Sequence, residues 1–243
     1  MEKHHFQDQR GVEAGRLPLS VPVGHRRALL ALGSVGLVYC LLALLGCAET
    51  STRTHANFQT EVRRIAGTVI VPVDIIVYEE PAGGTAQVRD QWGDIAKKNL
   101  LDALVKGLKR KRYDVRVVEA EKSGNPELKE IQNLYRAVNK SIQLHTYGPQ
   151  LFPGKVSRFE YSVGPTDAFL HEARADAIML LSGLERIKPD GNKCYVSLGV
   201  AGPTGDIIWY DMGISRGEYD LRDPEGAEMM VYGLLSSFPD SGG

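Results

Sequence analysis

Four carboxylates, Asp211, Glu218, Asp220 and Asp223, fall within thirteen positions of the chain. On neighbouring loops, two such groups can serve as the acid and base of a hydrolase, or hold Ca²⁺. Their spacing fits no EF-hand loop, and Asp223 before Pro224 has the sequence of a helix cap. Solvated turn residues are the plainer reading, and it stands beside the catalytic one. Downstream of residue 46 the only histidines are His55, His145 and His171. His145 falls on the apolar face of a predicted helix, where a packed histidine is expected. His171-Glu172 offers one arm of an acid–base pair, with no nucleophile motif near it. No G-x-S-x-G, P-loop, G-x-G-x-x-G or H-E-x-x-H pattern is present.

Cysteine chemistry is equally sparse. Cys40 and Cys47 lie in or beside an apolar run, which leaves Cys194 as the sole thiol of the later sequence. It has no partner for an internal disulfide, and no Cys/His spacing fits zinc. Beside Tyr195-Val196 in a predicted strand, it reads as a buried small hydrophobe. No pattern calls for a metal or a cofactor.

Binding surfaces are the other option. "KGLKRKR" concentrates Lys106, Lys109, Arg110, Lys111 and Arg112 at a predicted helix end, where cations are stabilised by the exposed carbonyls. The run is either a solvated, dipole-matched end or a contact for anionic lipid, cell-wall polymer or an acidic partner. Phe152, Phe159 and Tyr161 sit in a long predicted loop, either covering the core or meeting a partner. "PAGGT" reads as a flexible loop that also offers backbone amides to an anion. A nucleic-acid partner is excluded by charge. Removing residues 1–46 takes away five Lys/Arg and three Asp/Glu, leaving 24 against 27.

The amino-terminal segment bears on compartment. His25-Arg26-Arg27 precedes residues 28–46, which carry no charge. A basic flank followed by an apolar core is a secretory pattern, and a run of 19 uncharged, mostly apolar residues is also long enough to span a bilayer. Leu44-Leu45-Gly46-Cys47 resembles the lipobox of bacterial lipoproteins. That resemblance implies cleavage before Cys47, acylation of its thiol and amino group, and an amino-terminal lipid anchor. Ala48, not Asp, follows the cysteine, which by analogy with enterobacterial sorting implies the outer membrane. An uncleaved inner-membrane anchor is the alternative. Either way the Arg pair stays inside and the domain faces the periplasm. The polar leader before Arg26 is long for a signal, and Val21 or Val23 as the true start would account for it.

The elements that must position these residues follow from periodicity. Residues 47–66 are polar and read as a lipidated cysteine and flexible tether. "TVIVPVDIIVYEE" reads as a buried strand, bent or at an edge because of Pro72. A helix follows with Trp92, Ala96, Leu100, Leu104 and Leu108 on one stripe, widened by Ile95, Leu101 and Val105. "YDVRVVEA" is a second strand. Asn125-Pro126 starts a helix whose apolar face carries Leu128, Ile131, Tyr135, Val138, Ile142 and His145. Residues 147–165 read as a loop and 166–174 as a helix, before the strand "DAIMLLSGL". A hairpin turns at "GPTG", and a last helix is capped by Asp223. The alternation predicts an α/β fold, a single layered domain at residues 67–239 with a mixed sheet flanked by helices and a 240–243 tail.

This order, with "VIVPV" opening the first strand, "ARADAIMLL" before the third and "GDIIWYD" in the hairpin, resembles a group of envelope lipoproteins. They share the domain found at the amino end of TolB and in the curli-secretion channel lipoprotein. The resemblance covers roughly residues 68–239. It implies a non-enzymatic periplasmic module that assembles with envelope proteins or with itself. It carries over no binding residues, and no alternating strands are long enough to imply a pore. The functional expectation is therefore an outer-membrane-anchored docking or assembly module for envelope biogenesis, secretion or transport. A periplasmic hydrolase using the residue 211–223 carboxylates, or a small-solute sensing domain, is the alternative.

Overall fold

"VIVPVDIIVYE" is the segment around which the sheet is organised. The computed structural model describes residues 49–118, 125–149 and 151–242. The leader and Cys47 lie outside them. Pro72 splits the segment into β2 (Gly67–Ile70) and β3 (Asp74–Glu79), and both run parallel to β6 (Ala177–Ile187). The register shifts by one residue between them, so the ring that cannot donate a hydrogen bond occupies the break. The bent-strand reading of Pro72 is the correct one.

Around this seam the sheet runs β1-β8-β7-β6-β2-β5, with β3 beside β6 and β4 (Gln87–Val88) beside β3. β5 (Asp114–Val117) is parallel to β2, while β6, β7 (Lys193–Ala201) and β8 (Ile207–Arg216) form an antiparallel meander. This is the expected mixed sheet. Because "PAGGT" connects β3 to β4, it is the exposed turn of a small hairpin, not a strand-to-helix loop.

One expectation fails at the start of the domain. The stretch assigned to a tether contains β1 (Glu49–Thr54), which pairs antiparallel with β8 from Glu49↔Ile214 to Thr54↔Trp209. It also contains α1 (Phe58–Val62), whose Phe58 and Val62 are buried, as is Ile65. An edge strand is held by backbone hydrogen bonds on one side only, so "ETSTRT" carries no apolar signal.

Strand alternation divides the core into two layers. On one face lie α2 (Asp90–Arg110) and α6 (Pro224–Leu235), over Val77, Cys194, Val196 and Trp209. The α2 stripe is buried at Ala96, Leu100, Leu104 and Leu108, whereas Ile95 points to solvent. On the other face lie α3 (Pro126–Ile142), the short α4 (Pro153–Ser157) and α5 (Asp167–Ala173). α3 buries Leu128, Ile131, Tyr135 and Ile142 against Val69, Leu180 and Tyr210. Both expected caps form. Asn125 Oδ1 accepts from the Glu127 amide at 2.9 Å, and Asp223 Oδ1 from the Glu225 amide at 3.4 Å. The 240–243 tail is fastened at Ser241, whose amide donates to the Lys111 carbonyl at 2.8 Å.

Candidate functional site

The basic run closes α2, and the reversal after it explains part of its composition. Lys111 N–H donates to the Gly107 carbonyl, Tyr113 N–H donates to the Leu108 carbonyl, and Arg112 adopts the left-handed conformation at φ 68°. This is how a helix end satisfies its last carbonyls, and cations belong there. Lys106 pairs with Glu228 of α6, whose carboxyl it holds below the usual range. Lys111 Nζ reaches the Phe238 carbonyl at 2.5 Å and Asp240 at 3.4 Å, tying down the carboxy-terminal segment. Lys109, Arg110 and Arg112 form no ion pair among the described residues.

Of the run, Lys106, Arg110 and Lys111 line a groove of about 330 Å³ between α2 and α6, together with the acidic Glu228 and Asp240. Gly107 sets its depth, because a Cβ there would come within 2.5 Å of Leu235 Cδ1. Val231 and Leu235 form the floor, and Tyr232 on the lip is 70% exposed. Met229 and Ile95 add exposed apolar surface from the same two helices. An apolar floor with cations along one side suits an amphipathic segment carrying acidic groups.

The aromatic loop divides. Phe159 and Tyr161 are buried in the α3-side core, with their rings 5.1 Å apart and Phe159 6.2 Å from Tyr210. They are packing residues, which removes them as a contact surface. Phe152 remains exposed and stands edge-on to His145 at 4.8 Å. His145 is half-buried and hydrogen-bonded to Ser141.

The four carboxylates of the hydrolase reading occupy four separate posts. Glu218 accepts from Ser215 Oγ at 2.7 Å and the Arg216 amide at 2.5 Å, and these bonds hold its pKa down. Asp220 is gripped by Arg222 Nε at 2.9 Å and Nη2 at 2.6 Å, and its pKa falls for that reason. Asp223 caps α6. Asp211 is buried in β8, accepting from the Met212 amide at 2.7 Å and Thr52 Oγ1 at 3.2 Å, and burial pushes it up to about 6. No side-chain hydrogen bond links any two of the four, Asp223 N–H donating only to the Asp220 backbone carbonyl, and among the described residues no cluster of His, Cys, Asp or Glu could hold a metal. His171 lies at a surface depression lined by Asp167 and Asp176, away from the carboxylates.

Two buried groups escaped the sequence reading. Glu185 is fully buried near the end of β6, where its Oε1 accepts from the Leu221 amide at 3.1 Å and its Oε2 has no partner. Burial pushes its pKa up to about 7. The signal was the alternation: Glu185 shares strand parity with Met179 and Leu181, both core residues. Asn139 is the second. It lies among the apolar positions of α3 and bonds Ser182, Ser197 and Tyr210. Cys194 fits its expected place, fully buried, with burial raising the thiol to about 12. A thiol reagent on the native chain should leave Cys194 unlabelled over hours and label it on denaturation, as read by peptide mass. Rapid native labelling would contradict that burial.

Among the described residues no helix is long and apolar enough to cross a membrane. No protein-family model matches the chain, and no curated protein does. Solved structures provide likenesses at low identity. The PelC dodecamer from Paraburkholderia phytofirmans is similar at 13% identity and a TM-score of 0.41, over 78% of this chain and 95% of that one. The LpoB C-terminal domain from Salmonella enterica is similar at 13% identity and a TM-score of 0.26, over 65% of this chain and 94% of that one.

Proposed function

We propose that this protein is a lipid-anchored, non-catalytic docking module of the bacterial envelope, with its α/β domain on the periplasmic side of the outer membrane. The observation that carries this reading is the join between anchor and fold. β1 begins at Glu49, two residues after the lipobox Cys47. Two residues span at most about 7 Å, so an acylated Cys47 holds the domain against the bilayer with almost no slack. That geometry suits a module that presents a surface at a fixed height. The separate posts of the four carboxylates favour docking over hydrolysis.

The docking surface in this reading is the α2–α6 groove, and its occupant is an acidic amphipathic segment of an envelope protein. Native mass spectrometry of chains extracted from their own membranes tests it. The expected species starts at Cys47, carries acyl chains and is bound to a second protein. Lys106→Glu with Arg110→Glu, both lining the groove, should reduce the bound fraction about tenfold or more and leave the lipidated mass unchanged. A lipidated chain whose complex is insensitive to the double reversal sinks the groove assignment. A chain that retains its leader replaces the lipid anchor by residues 28–46, and a chain without any companion sinks the docking role.

A further inference from the structure

The sheet face opposite α2 and α6 is only partly covered. α3 and the turn after it lie across one transverse row of residues, Ser51–Met212–Ser197–Ser182–Asp74, taken in register over five strands. The contacts trace the crossing: Arg136 Nε to Asp74 at 2.6 Å, Asn139 to Ser182 and Ser197, and Tyr147 OH to the Ser51 carbonyl. The strands extend two rows beyond it. The first is Ile214–Tyr195–Leu184–Ile76, and the second is Arg216–Lys193–Arg186–Tyr78.

Residues paired across neighbouring strands point to the same side, so each row forms one line of side chains. Over β8, β7, β6 and β3 the first row is apolar, yet Tyr195 is 40% and Ile76 41% exposed. The second places Arg216, Lys193 and Arg186 side by side at roughly 5 Å intervals, all exposed. Like charges directly opposite one another destabilise a sheet. Arg186 is partly answered by Glu80 at 3.4 Å and stacks over Tyr78; Lys193 and Arg216 have no ion pair among the described residues. On the other face of the same strand ends, Val77, Glu185, Cys194 and Ser215 are buried. The sheet end is therefore covered on one face and left open, apolar and cationic on the other.

We infer that these two rows are a membrane-facing strip that seats the domain on the anionic phospholipid headgroups beside its anchor. This rests on the anchored reading above, in either of its forms. Both acylated Cys47 and a spanning segment at residues 28–46 end the membrane-embedded chain within a few residues of Glu49. Glu49 is paired with Ile214, in the apolar row itself. The bilayer is thus the one surface that chain connectivity brings to this end of the sheet. Its phosphates complement the cationic row, and tyrosine with aliphatic neighbours suits the interfacial layer. The strip and the α2–α6 groove lie on opposite faces, so seating the strip leaves the groove turned toward the periplasm.

The test uses the full chain in its own membranes, with a photoreactive benzophenone side chain in place of Tyr195 or, on the opposite face, Tyr232. Irradiation should yield a phospholipid adduct at position 195, read by intact mass, and none at 232. Arg186→Glu, Lys193→Glu and Arg216→Glu together should lower the lipid adduct at least about tenfold. The three side chains are exposed, and the unmodified charge background already decides the question if the triple variant is lost. A protein adduct at 195, or none, from a membrane-bound chain overturns the strip while leaving the anchor intact. A chain recovered in the soluble fraction overturns the anchored reading, and the strip with it.

Discussion

Asn139→Ala is expected to lower the unfolding free energy by about 3–5 kcal/mol. Asn139 is almost fully buried between the helix and the sheet. Its Nδ2 donates to Ser182 Oγ at 2.6 Å, and its Oδ1 accepts from Tyr210 OH at 2.6 Å and Ser197 Oγ at 3.0 Å. Removing the amide leaves a tyrosine hydroxyl and two serines short of a partner in an apolar layer, and each unpaired group carries its desolvation penalty. The contacts also fix where α3 crosses the sheet, so the variant should lose cooperativity as well as stability. Urea denaturation checks this, with the exposed Asn133→Ala as the reference, expected within about 0.5 kcal/mol of the parent. A loss below about 1 kcal/mol for Asn139→Ala would show that the network contributes little.

Glu185→Gln should act in the opposite direction and depend on pH. Burial raises the Glu185 carboxyl from an ordinary 4.5 to about 7; nearby Asp220 adds to the rise, while the Leu221 amide and Arg222 oppose it. The folded chain therefore binds a proton that the unfolded chain releases at lower pH. Between 4.5 and about 7 the folded state holds more protons, so stability falls as pH rises through that window. Above it the buried carboxylate costs up to about 3 kcal/mol. Glutamine keeps the acceptor for Leu221 without the charge. The variant should gain about 2–3 kcal/mol over the parent at pH 8 and almost nothing at pH 4.5. Calorimetric unfolding of both chains at the two pH values reads the difference directly. Equal gains at both would place the effect in packing, not ionisation.

Asp211, raised to about 6 by burial, adds to the same trend. Glu80, Glu218, Asp220 and Glu228, each held low by a cation or hydrogen bonds, act in the reverse sense and lose stability as pH falls. The comparison of parent with variant isolates Glu185 from these.

The two faces of the sheet divide the work this reading assigns. α2 and α6 form an apolar groove with cations along its α2 side, and the open apolar and cationic rows are the face proposed to meet the bilayer. One sheet separates them, so a partner in the groove and a membrane under the strip can be held at once. That arrangement needs no conformational change, only an anchor too short to let the domain turn over.

Much of this was written locally. The stripe Ala96–Leu100–Leu104–Leu108, the caps at Asn125 and Asp223, the "GPTG" turn and the run "AIMLL" carry their own periodicity or chemistry, so they could be read without a partner. The bend at Pro72 follows from one ring that cannot donate. The resemblance of residues 44–47 to a lipobox is likewise a purely sequential pattern, and it lies outside the described residues. What the sequence could not disclose is whatever depends on a partner strand far along the chain. β1 looks like a polar tether because its stabilisation comes from β8, some 160 residues away, through backbone groups identical in every residue. Phe159 and Tyr161 are core, and Phe152 is not, because α3 and β8 close over two of the three rings. The carboxylates of residues 211–223 are close in sequence yet do not bond one another, because strand, turn and helix give each one its own partner. Arg186, Lys193 and Arg216 are isolated cations in the chain, and the pairing register of three strands makes them a row. Local order came from side-chain type and spacing, and the shared surfaces came from register, which exists only after the strands have met.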